Sequence, residues 1–295
     1  MRTATRIAAA GLVLELVLQS PRVFGETQRQ GENRAPRPVG ETVQLAGLEC
    51  SVWQPAGDRG RVPLVIFSHG FHGNRNQSTF LTNALAGAGY LVVAPNHRDA
   101  MANGRSGGPV RPDVPFQDPE RWNETTYQDR AKDIRDLLAA LKGSARFSPA
   151  IDWSRVALAG HSLGGYTVLG LAGGWPSWKL PDIKAVLAMS PVANAFALHG
   201  DLAHVACPVM YQTGTRDLGV APFLRRSGGV FDQTRGPAYL VDFKDAAHFA
   251  WTDLNPAFQP AIVDYSVAFL NHYLKGESSA DPGKRQAGVA DLRVK

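Results

Sequence analysis

The stretch Arg155-Val-Ala-Leu-Ala-Gly160-His-Ser162-Leu-Gly164-Gly-Tyr-Thr-Val-Leu-Gly170 decides the fold. An apolar run, Val156 to Ala159, precedes a Gly-x-Ser-x-Gly pattern, and an apolar segment with helical spacing follows it. This order predicts a buried strand, a sharp turn carrying Ser162, and a helix. Gly160 and Gly164 suit such a turn because a side chain two residues before or after the serine would collide with the adjoining strand and helix.

The turn from Gly160 to Gly164, hereafter the elbow, favours a reactive serine. A helix that begins at Leu163 points its backbone N–H groups and the positive end of its dipole toward Ser162, where they would stabilise negative charge. The alternative interpretation is an ordinary glycine-rich turn, since the bare pattern also arises by chance. The strand before the elbow and the helix after it favour the nucleophile.

Strand-like and helix-like segments alternate along the chain. The strand-like runs are Pro63 to Ser68, Tyr90 to Pro95, Val156 to Ala159, Ile183 to Met189, Pro208 to Thr213 and Ala238 to Phe243, and the main helical patterns are Thr79 to Ala88, Thr125 to Leu141 and Ile262 to Leu274. This alternation predicts an α/β fold with a mainly parallel, doubly wound sheet and helices on both faces. The connection from Ser190 to Ala206 is too short for a large cap domain.

Composition excludes several classes of protein. The chain has 295 residues, 44% of them hydrophobic, which suits one α/β domain with a sizeable core. The formal charge is +5, but no run of basic residues with interleaved aromatics appears, so we expect no nucleic-acid partner. Two cysteines, Cys50 and Cys207, provide neither a disulfide scaffold nor a metal-ligand spacing. We expect no metal and no cofactor.

The two ends of the chain differ from its middle. Residues 1–25 combine Arg2 and Arg6, an apolar run and a small-residue end at Gly25, which predicts a cleavable signal peptide and a secreted or periplasmic protein without a stable membrane anchor. Glu15 inside the apolar run favours the alternative of an amphipathic amino-terminal helix. Residues 26–40 are predicted to be a linker, 41–275 the folded domain, and 276–295 a flexible tail.

A serine nucleophile needs a base, and the base needs an orienting acid. His248 follows the last strand-like run in a loop of small residues and is the predicted base. Asp217 follows the strand-like run from Pro208 to Thr213 and is the predicted acid, with Asp201 as the main alternative. In proteins with this type of elbow the acid lies between serine and histidine in chain order, as both candidates do.

The oxyanion of a tetrahedral intermediate needs two N–H donors. We expect them at Leu163, directly after the nucleophile, and at Phe71, in the loop after an earlier strand. Gly70 before Phe71 permits close approach of substrate. Trp251 and Trp175 are the predicted walls of a substrate cleft.

Five segments carry a family resemblance: Ser68-His-Gly-Phe71, Asn96-His-Arg-Asp99, Gly160-His-Ser-Leu-Gly-Gly165, Gly214-Thr-Arg-Asp217 and Ala247-His-Phe249. Together they resemble serine α/β-hydrolases of the dienelactone-hydrolase-like, platelet-activating-factor acetylhydrolase-like and polyester-hydrolase (cutinase)-like groups. True dienelactone hydrolases carry cysteine where this chain has Ser162. Acetylhydrolases of this type tend to carry the acid after the strand that follows the elbow helix, where this chain reads Met189-Ser-Pro191, and Asp217 is therefore favoured.

The resemblance implies an α/β-hydrolase fold over roughly residues 40 to 275, and a secreted serine ester hydrolase acting through an acyl-enzyme on a small-molecule ester. An acetylhydrolase, a lipase or a polyester hydrolase of the same fold is the alternative within this class. A non-catalytic binding protein of the same fold is the alternative from another class. The oligomeric state is not indicated by the sequence.

Overall fold

The computed structural model describes residues 40–57, 60–101 and 110–295. The predicted signal peptide over residues 1–25, and the predicted linker apart from Gly40, lie outside these residues. Within the described part, no helix is both long and apolar enough to cross a membrane.

The strands are β1 (Glu41–Leu45), β2 (Leu48–Trp53), β3 (Val62–Ser68), β4 (Leu91–Pro95), β5 (Ile151–His161), β6 (Ile183–Met189), β7 (Val209–Gly214), β8 (Ala238–Phe243) and β9 (Val289–Val294). The α-helices are α1 (Thr79–Gly87), α2 (Gln128–Gly143), α3 (Leu163–Leu169), α4 (Asn194–His199), α5 (Ala221–Arg225), α6 (Val230–Gln233) and α7 (Gln259–Leu270). A π-helical turn, Gly170–Gly174, continues α3, and another, Asn271–Lys275, continues α7.

These strands form a single sheet in the order β1-β2-β4-β3-β5-β6-β7-β8-β9. The six strands from β4 to β8 pair in parallel, and the pairings of β1 with β2, β2 with β4 and β8 with β9 are antiparallel. The inner strands are apolar almost throughout because both faces are covered; every residue of β3 is buried. The predicted mainly parallel α/β sheet is confirmed.

Each face of the sheet has its own hydrophobic core. On one face, Phe80 and Leu85 of α1 pack with Phe269 of α7. On the other, Ile134 of α2 packs in a cluster with Tyr166 of α3 and with residues of α4. Helices on both faces make the sheet doubly wound, as the alternation predicts.

The strand order places a crevice between two loops. From β3 the chain passes through α1 to β4 on one side, and from β4 it returns through α2 to β5 on the other side of β3. Ligands of open α/β sheets bind where the direction of winding reverses in this way, beyond the carboxyl ends of the strands. The loop after β3, His69–Gly73, and the elbow after β5 meet at this place.

The predicted flexible tail over residues 276–295 is wrong. Val289–Val294 forms β9, which pairs with β8, and the N–H and C=O of Ala238 both bond to Lys295. A fully buried strand such as β8 has backbone groups on its outer edge that require partners, and β9 supplies them. The polar composition of the segment concealed this role because β9 is an edge strand with little buried surface.

The segment between β6 and β7 agrees with its short predicted length. It holds the six-residue helix α4 and one 3-10 turn, Leu202–His204. A cap domain does not fit into it.

The elbow closes only because its glycines lack side chains. A Cβ on Gly160 would lie 2.3 Å from the carbonyl oxygen of Gly164, and a Cβ on Gly164 would lie 1.9 Å from that of Ser68. At Gly165, a Cβ would lie 2.6 Å from the Cβ of Pro191. The first two contacts are with backbone atoms, which cannot move without displacing β3 or α3.

We predict that Gly164→Ala lowers the free energy of unfolding by about 3 kcal/mol or more, since overpacking against rigid backbone costs at least as much as overpacking a core. Gly87→Ala is the matched control: nothing lies within 4 Å of a Cβ there, and alanine in a helix is favoured by roughly 0.5–1 kcal/mol. Thermal unfolding measures both. A Gly164→Ala protein whose midpoint of thermal unfolding equals that of the unaltered chain would contradict the close packing of the elbow.

Candidate active site

Ser162 has a strained backbone that its neighbours hold in place. Its φ is 56° and its ψ is −117°, in the region that favours glycine. The N–H of Ser162 donates to the carbonyl oxygen of Met189 at 3.0 Å, and its own carbonyl oxygen accepts from Tyr166 and Val192, each at 3.1 Å. Bonds from β6 and α3 thus fix the serine from both sides, which is how such strain persists in a folded protein.

The structure brings the three predicted catalytic side chains together. His248 begins a 3-10 turn after β8, and its Nε2 lies 2.8 Å from Ser162 Oγ. Its Nδ1 lies 3.2 Å and 3.3 Å from the two carboxylate oxygens of Asp217. Asp217 is buried in a turn after β7, with its N–H donating to the carbonyl oxygen of Gly214 at 3.0 Å. Each residue stands at the carboxyl end of a different strand.

The alternative acid, Asp201, lies elsewhere. Its carboxylate pairs with Nδ1 of His204 at 2.6 Å and accepts from the N–H of Ala203 at 3.1 Å, capping a 3-10 turn at the surface. The geometry therefore favours Asp217 as the partner of His248.

Two backbone N–H groups close to Ser162 differ from their neighbours in having no acceptor, one in the loop after β3 and one at the start of α3. In the loop after β3, the N–H groups of Gly70, His72 and Gly73 donate to Gln77 Oε1, Asp99 Oδ2 and the carbonyl oxygen of Gly70. Among the described residues, by contrast, the N–H groups of Phe71 and Leu163 have no acceptor. A Cβ on Gly70 would lie 3.3 Å from that of Ser162, so the loop lies against the serine.

A buried cation on α2, Arg130, binds the backbone of the loop after β3. Arg130 on α2 has no solvent exposure; it donates to the carbonyl oxygen of His69 at 2.7 Å and forms two bonds, of 3.0 Å and 2.8 Å, with Asp99. Although burial opposes the shift, the charge of Arg130 and its hydrogen bonds keep the pKa of Asp99 below the ordinary value. Asp99 in turn holds the N–H of His72, so the ion pair fixes the loop at two points.

The interior contains a second serine, histidine and aspartate in hydrogen-bonded order. Ser68 Oγ lies 2.9 Å from Nε2 of His97, whose Nδ1 lies 2.9 Å from Asp133 Oδ2. Ser68 and His97 are completely buried, so no substrate reaches them. Burial and the nearby charge of Arg130 lower the pKa of His97 well below its ordinary value. This arrangement supports the carboxyl ends of β3 and β4.

His161 and Gln77 join the parts of the site. The N–H of Gly70 donates to Gln77 Oε1 at 2.9 Å, and Gln77 Nε2 donates to Nδ1 of His161 at 3.0 Å. Nε2 of His161 then donates to the carbonyl oxygen of His248 at 2.8 Å. Burial, with a smaller effect of His248, lowers the pKa of His161 to about 3, and the chain of bonds requires this neutral form.

Ser190, which directly follows β6, is a site residue that sequence reasoning missed. Its Oγ lies 2.8 Å from Nδ1 of His248 and also contacts Asp217 Oδ2. The one available signal was its position after the strand that follows the elbow helix.

The prediction that Trp251 and Trp175 line a substrate cleft is wrong. Trp251 is completely buried and donates from Nε1 to Gln212 Oε1, and Trp175 is 2% exposed and donates to the hydroxyl of Tyr166. Both indoles belong to the hydrophobic cores. The large apolar side chains exposed next to site residues in the chain are instead Leu218, after Asp217, and Phe249, after His248.

The described residues contain no cluster of histidine, cysteine, aspartate and glutamate side chains that could hold a metal ion. That the protein uses neither a metal nor a cofactor stays a prediction.

We predict that His161 makes the stability of the fold depend on pH. Its pKa is about 3 in the folded chain and 6.5 ordinarily, so between these values the unfolded chain binds a proton that the folded chain does not. The free energy of unfolding therefore falls as the pH is lowered through this window, by up to about 1.4 kcal/mol per pH unit for this one group. His161→Asn should make the slope between about pH 4 and pH 6 shallower by up to that amount.

Denaturant titrations at several pH values measure this slope, with His199→Asn at an exposed site as the matched control. An unchanged slope in His161→Asn would contradict a neutral, buried His161.

Comparison with protein families finds a match that includes two of the five motif segments, Ser68–Phe71 and Asn96–Asp99. The family model described as platelet-activating factor acetylhydrolase, isoform II, matches residues 33–106, which is 74 of the 295 residues. The matched part includes β1 to β4 and the loop His69–Gly73, and it ends before the elbow. No curated protein matches the chain. The match and the fold confirm the resemblance to platelet-activating-factor acetylhydrolase-like serine α/β-hydrolases, whose chemistry is ester hydrolysis.

Proposed function

We propose that this chain is a serine carboxylic-ester hydrolase that works through an acyl-enzyme. The observation that carries the proposal is the 2.8 Å contact between Ser162 Oγ and Nε2 of His248, beside the N–H groups of Phe71 and Leu163, which have no acceptor among the described residues. Acyl transfer requires a nucleophile in contact with a base and N–H donors that stabilise the oxyanion, and both are present here. The resemblance to ester hydrolases supports the same reaction.

The reaction begins when Nε2 of His248 accepts the proton of Ser162 as Oγ bonds to the ester carbonyl carbon. The carbonyl electron pair moves onto oxygen, and the N–H groups of Phe71 and Leu163 hold the resulting oxyanion. Collapse of this intermediate expels the alcohol, which takes the proton from His248 and leaves an acyl group on Ser162. Water, activated by His248, then releases the acid by the same steps in the second half of the cycle.

Asp217 acts by orienting His248. Its carboxylate lies on the Nδ1 side of the imidazole, which keeps the proton on Nδ1 and leaves Nε2 free to accept the proton of Ser162. Its negative charge also stabilises the imidazolium that forms during each half of the cycle.

Small or short-chain esters are the proposed substrates. The segment between β6 and β7 contains only the short helix α4 and a 3-10 turn, so it provides no helical lid of the kind whose opening produces interfacial activation. Phe71, half-buried and stacked on His72 with 4.0 Å between ring centroids, is an apolar group placed next to the proposed oxyanion site.

The family match favours one alternative within this class, an acetylhydrolase, since residues 33–106 resemble one. A polyester hydrolase would use the same residues on a polymeric ester. Release of acetate from acetylated phospholipid, and release of soluble products from a polyester film, distinguish the two from a general esterase.

Secretion is a proposal that rests on residues 1–25, where Arg2, Arg6 and an apolar run resemble an export signal. A mature chain recovered from the periplasm or the medium should begin after Gly25. A chain that keeps Met1 in the cytoplasm would contradict export.

We predict that Ser162→Ala lowers kcat on a nitrophenyl ester by ~10⁶, the scale seen when a nucleophile of this kind is lost. Asp217→Asn should lower kcat by ~10⁴, because asparagine favours the wrong histidine tautomer. Asp201→Asn is the matched control and should leave kcat unchanged. In parallel, mass spectrometry after fluorophosphonate treatment should find the adduct on Ser162.

Two outcomes would contradict the proposed function. Ester hydrolysis that survives Ser162→Ala would remove Ser162 from the reaction. A folded chain that hydrolyses no ester and takes up no fluorophosphonate would favour a non-catalytic binding protein.

A series of nitrophenyl esters tests the proposed substrate size. We predict that kcat/KM is highest for acetyl or butyryl esters and declines for octanoyl and longer chains, with no rise in rate where the ester begins to form micelles. Highest activity on the longest chains, with such a rise, would contradict the proposal of small substrates, which rests on the short segment between β6 and β7.

A further inference from the structure

We infer that Ser190 is a positioning residue for His248, and that it connects the histidine to Asp217 through its hydroxyl. This inference rests on the proposed function and adds a member to the site. Ser190 directly follows β6, whereas Asp217 follows β7 and His248 follows β8. The three residues thus come from the ends of three neighbouring strands.

Distances assign the shorter bond to the serine. Nδ1 of His248 lies 2.8 Å from Ser190 Oγ, but 3.2 Å and 3.3 Å from the carboxylate oxygens of Asp217. Because Nε2 must accept the proton of Ser162, Nδ1 carries the hydrogen and donates it. Ser190 Oγ, as the nearest acceptor, therefore receives the main Nδ1 bond.

The hydroxyl hydrogen of Ser190 has Asp217 as its acceptor. Its Oγ contacts Oδ2 of Asp217, an acceptor-only group when ionised, so the hydroxyl donates to the carboxylate. Among the described residues, Ser190 and His248 are the only donors to the side chain of Asp217, which is buried. A buried carboxylate is stabilised by the donors it retains, so the hydroxyl also supports the charge of Asp217.

The backbone of Ser190 supports a role for its side chain. It has a φ of 43°, a left-handed conformation that favours glycine, and it is completely buried. Its N–H donates to the carbonyl oxygen of Gln212 at 2.7 Å, which fixes the residue between β6 and β7. Glycine would adopt this backbone with less strain, and serine differs from glycine at this position only by the group that contacts His248 and Asp217.

The hydroxyl acts without giving up its proton. When His248 takes the proton of Ser162, the imidazolium strengthens the bond from Nδ1 to Ser190 Oγ, and Ser190 strengthens its bond to Asp217. The hydrogen of each group stays on its own atom. Ser190 thereby holds the imidazole plane toward Ser162 through both halves of the proposed cycle.

The test uses Ser190→Gly, because glycine fits the backbone and removes only the side chain. We expect kcat on a short nitrophenyl ester to fall by on the order of 10-fold to 10²-fold, the scale for a misplaced catalytic group, with KM changed less than about twofold. The midpoint of thermal unfolding should change little, because relief of the left-handed strain at residue 190 offsets the loss of one donor to the buried Asp217. A residue that served the fold alone would lose stability and activity together.

Ser190→Ala keeps the Cβ and should reproduce the loss of kcat. Ser266→Ala, which alters a buried serine on α7, is the matched control and should leave kcat unchanged. Proton NMR of the free protein adds a direct reading: the resonance of the Nδ1 hydrogen of His248 should shift in Ser190→Gly. A Ser190→Gly protein with unchanged kcat and an unchanged Nδ1 resonance would overturn the inference.

Fluorophosphonate labelling distinguishes failure of this inference from failure of the proposed function. If the unaltered chain is labelled on Ser162 and Ser190→Gly is labelled at the same rate, the positioning role alone is wrong. If the unaltered chain is not labelled at all, the proposed function is wrong and the inference with it.

Discussion

The left-handed backbone of Ser162 is the constraint on which the rest of the site depends. With a φ of 56°, the chain turns sharply at Ser162 after β5, and α3 starts at the next residue. Only glycine fits at positions 160 and 164, where a Cβ would meet backbone atoms at 2.3 Å and 1.9 Å. The same close packing brings the carbonyl oxygen of Ser68, at the end of β3, against the elbow. The loop that carries Phe71 therefore begins within reach of the serine.

Buried polar groups convert this packing into a defined geometry. Arg130 and Asp99 hold the loop after β3 from the side of α2, and Gln77 and His161 connect that loop to the backbone of His248. Polar groups in the interior are stable only when their bonds are satisfied, so each residue has few alternative positions. Residues that touch no substrate in the proposed mechanism thus determine the distances between those that do.

Sequence patterns predicted those features that depend on neighbours in the chain. The apolar runs gave the parallel strands, and the spacing of Gly160, Ser162 and Gly164 gave the elbow. Asp217 and His248 could be proposed because parallel strands share one carboxyl edge, which brings their following loops together. Among the described residues these two do lie within reach of each other and of Ser162.

Features that depend on contacts distant in the chain were not predictable in this way. Ser190 approaches His248 across 58 residues, and Gln77 approaches His161 across 84, with no pattern in the chain linking either pair. Trp175 and Trp251 are aromatic side chains whose type does not distinguish a core from a cleft. The edge strand β9 has little buried surface, so its pairing with β8 left no apolar pattern in residues 276–295. The described residues hold two arrangements of serine, histidine and aspartate, and the one with Ser68 and His97 is distinguished by the complete burial of its serine and histidine.

The most direct measurement of the central claim is a crystal structure of the chain after reaction with a small fluorophosphonate, a mimic of the tetrahedral intermediate. We predict phosphorus bonded to Ser162 Oγ, with the phosphoryl oxygen about 2.7–3.1 Å from the backbone nitrogens of both Phe71 and Leu163. An adduct on another residue, or a phosphoryl oxygen directed away from these two N–H groups, would contradict it.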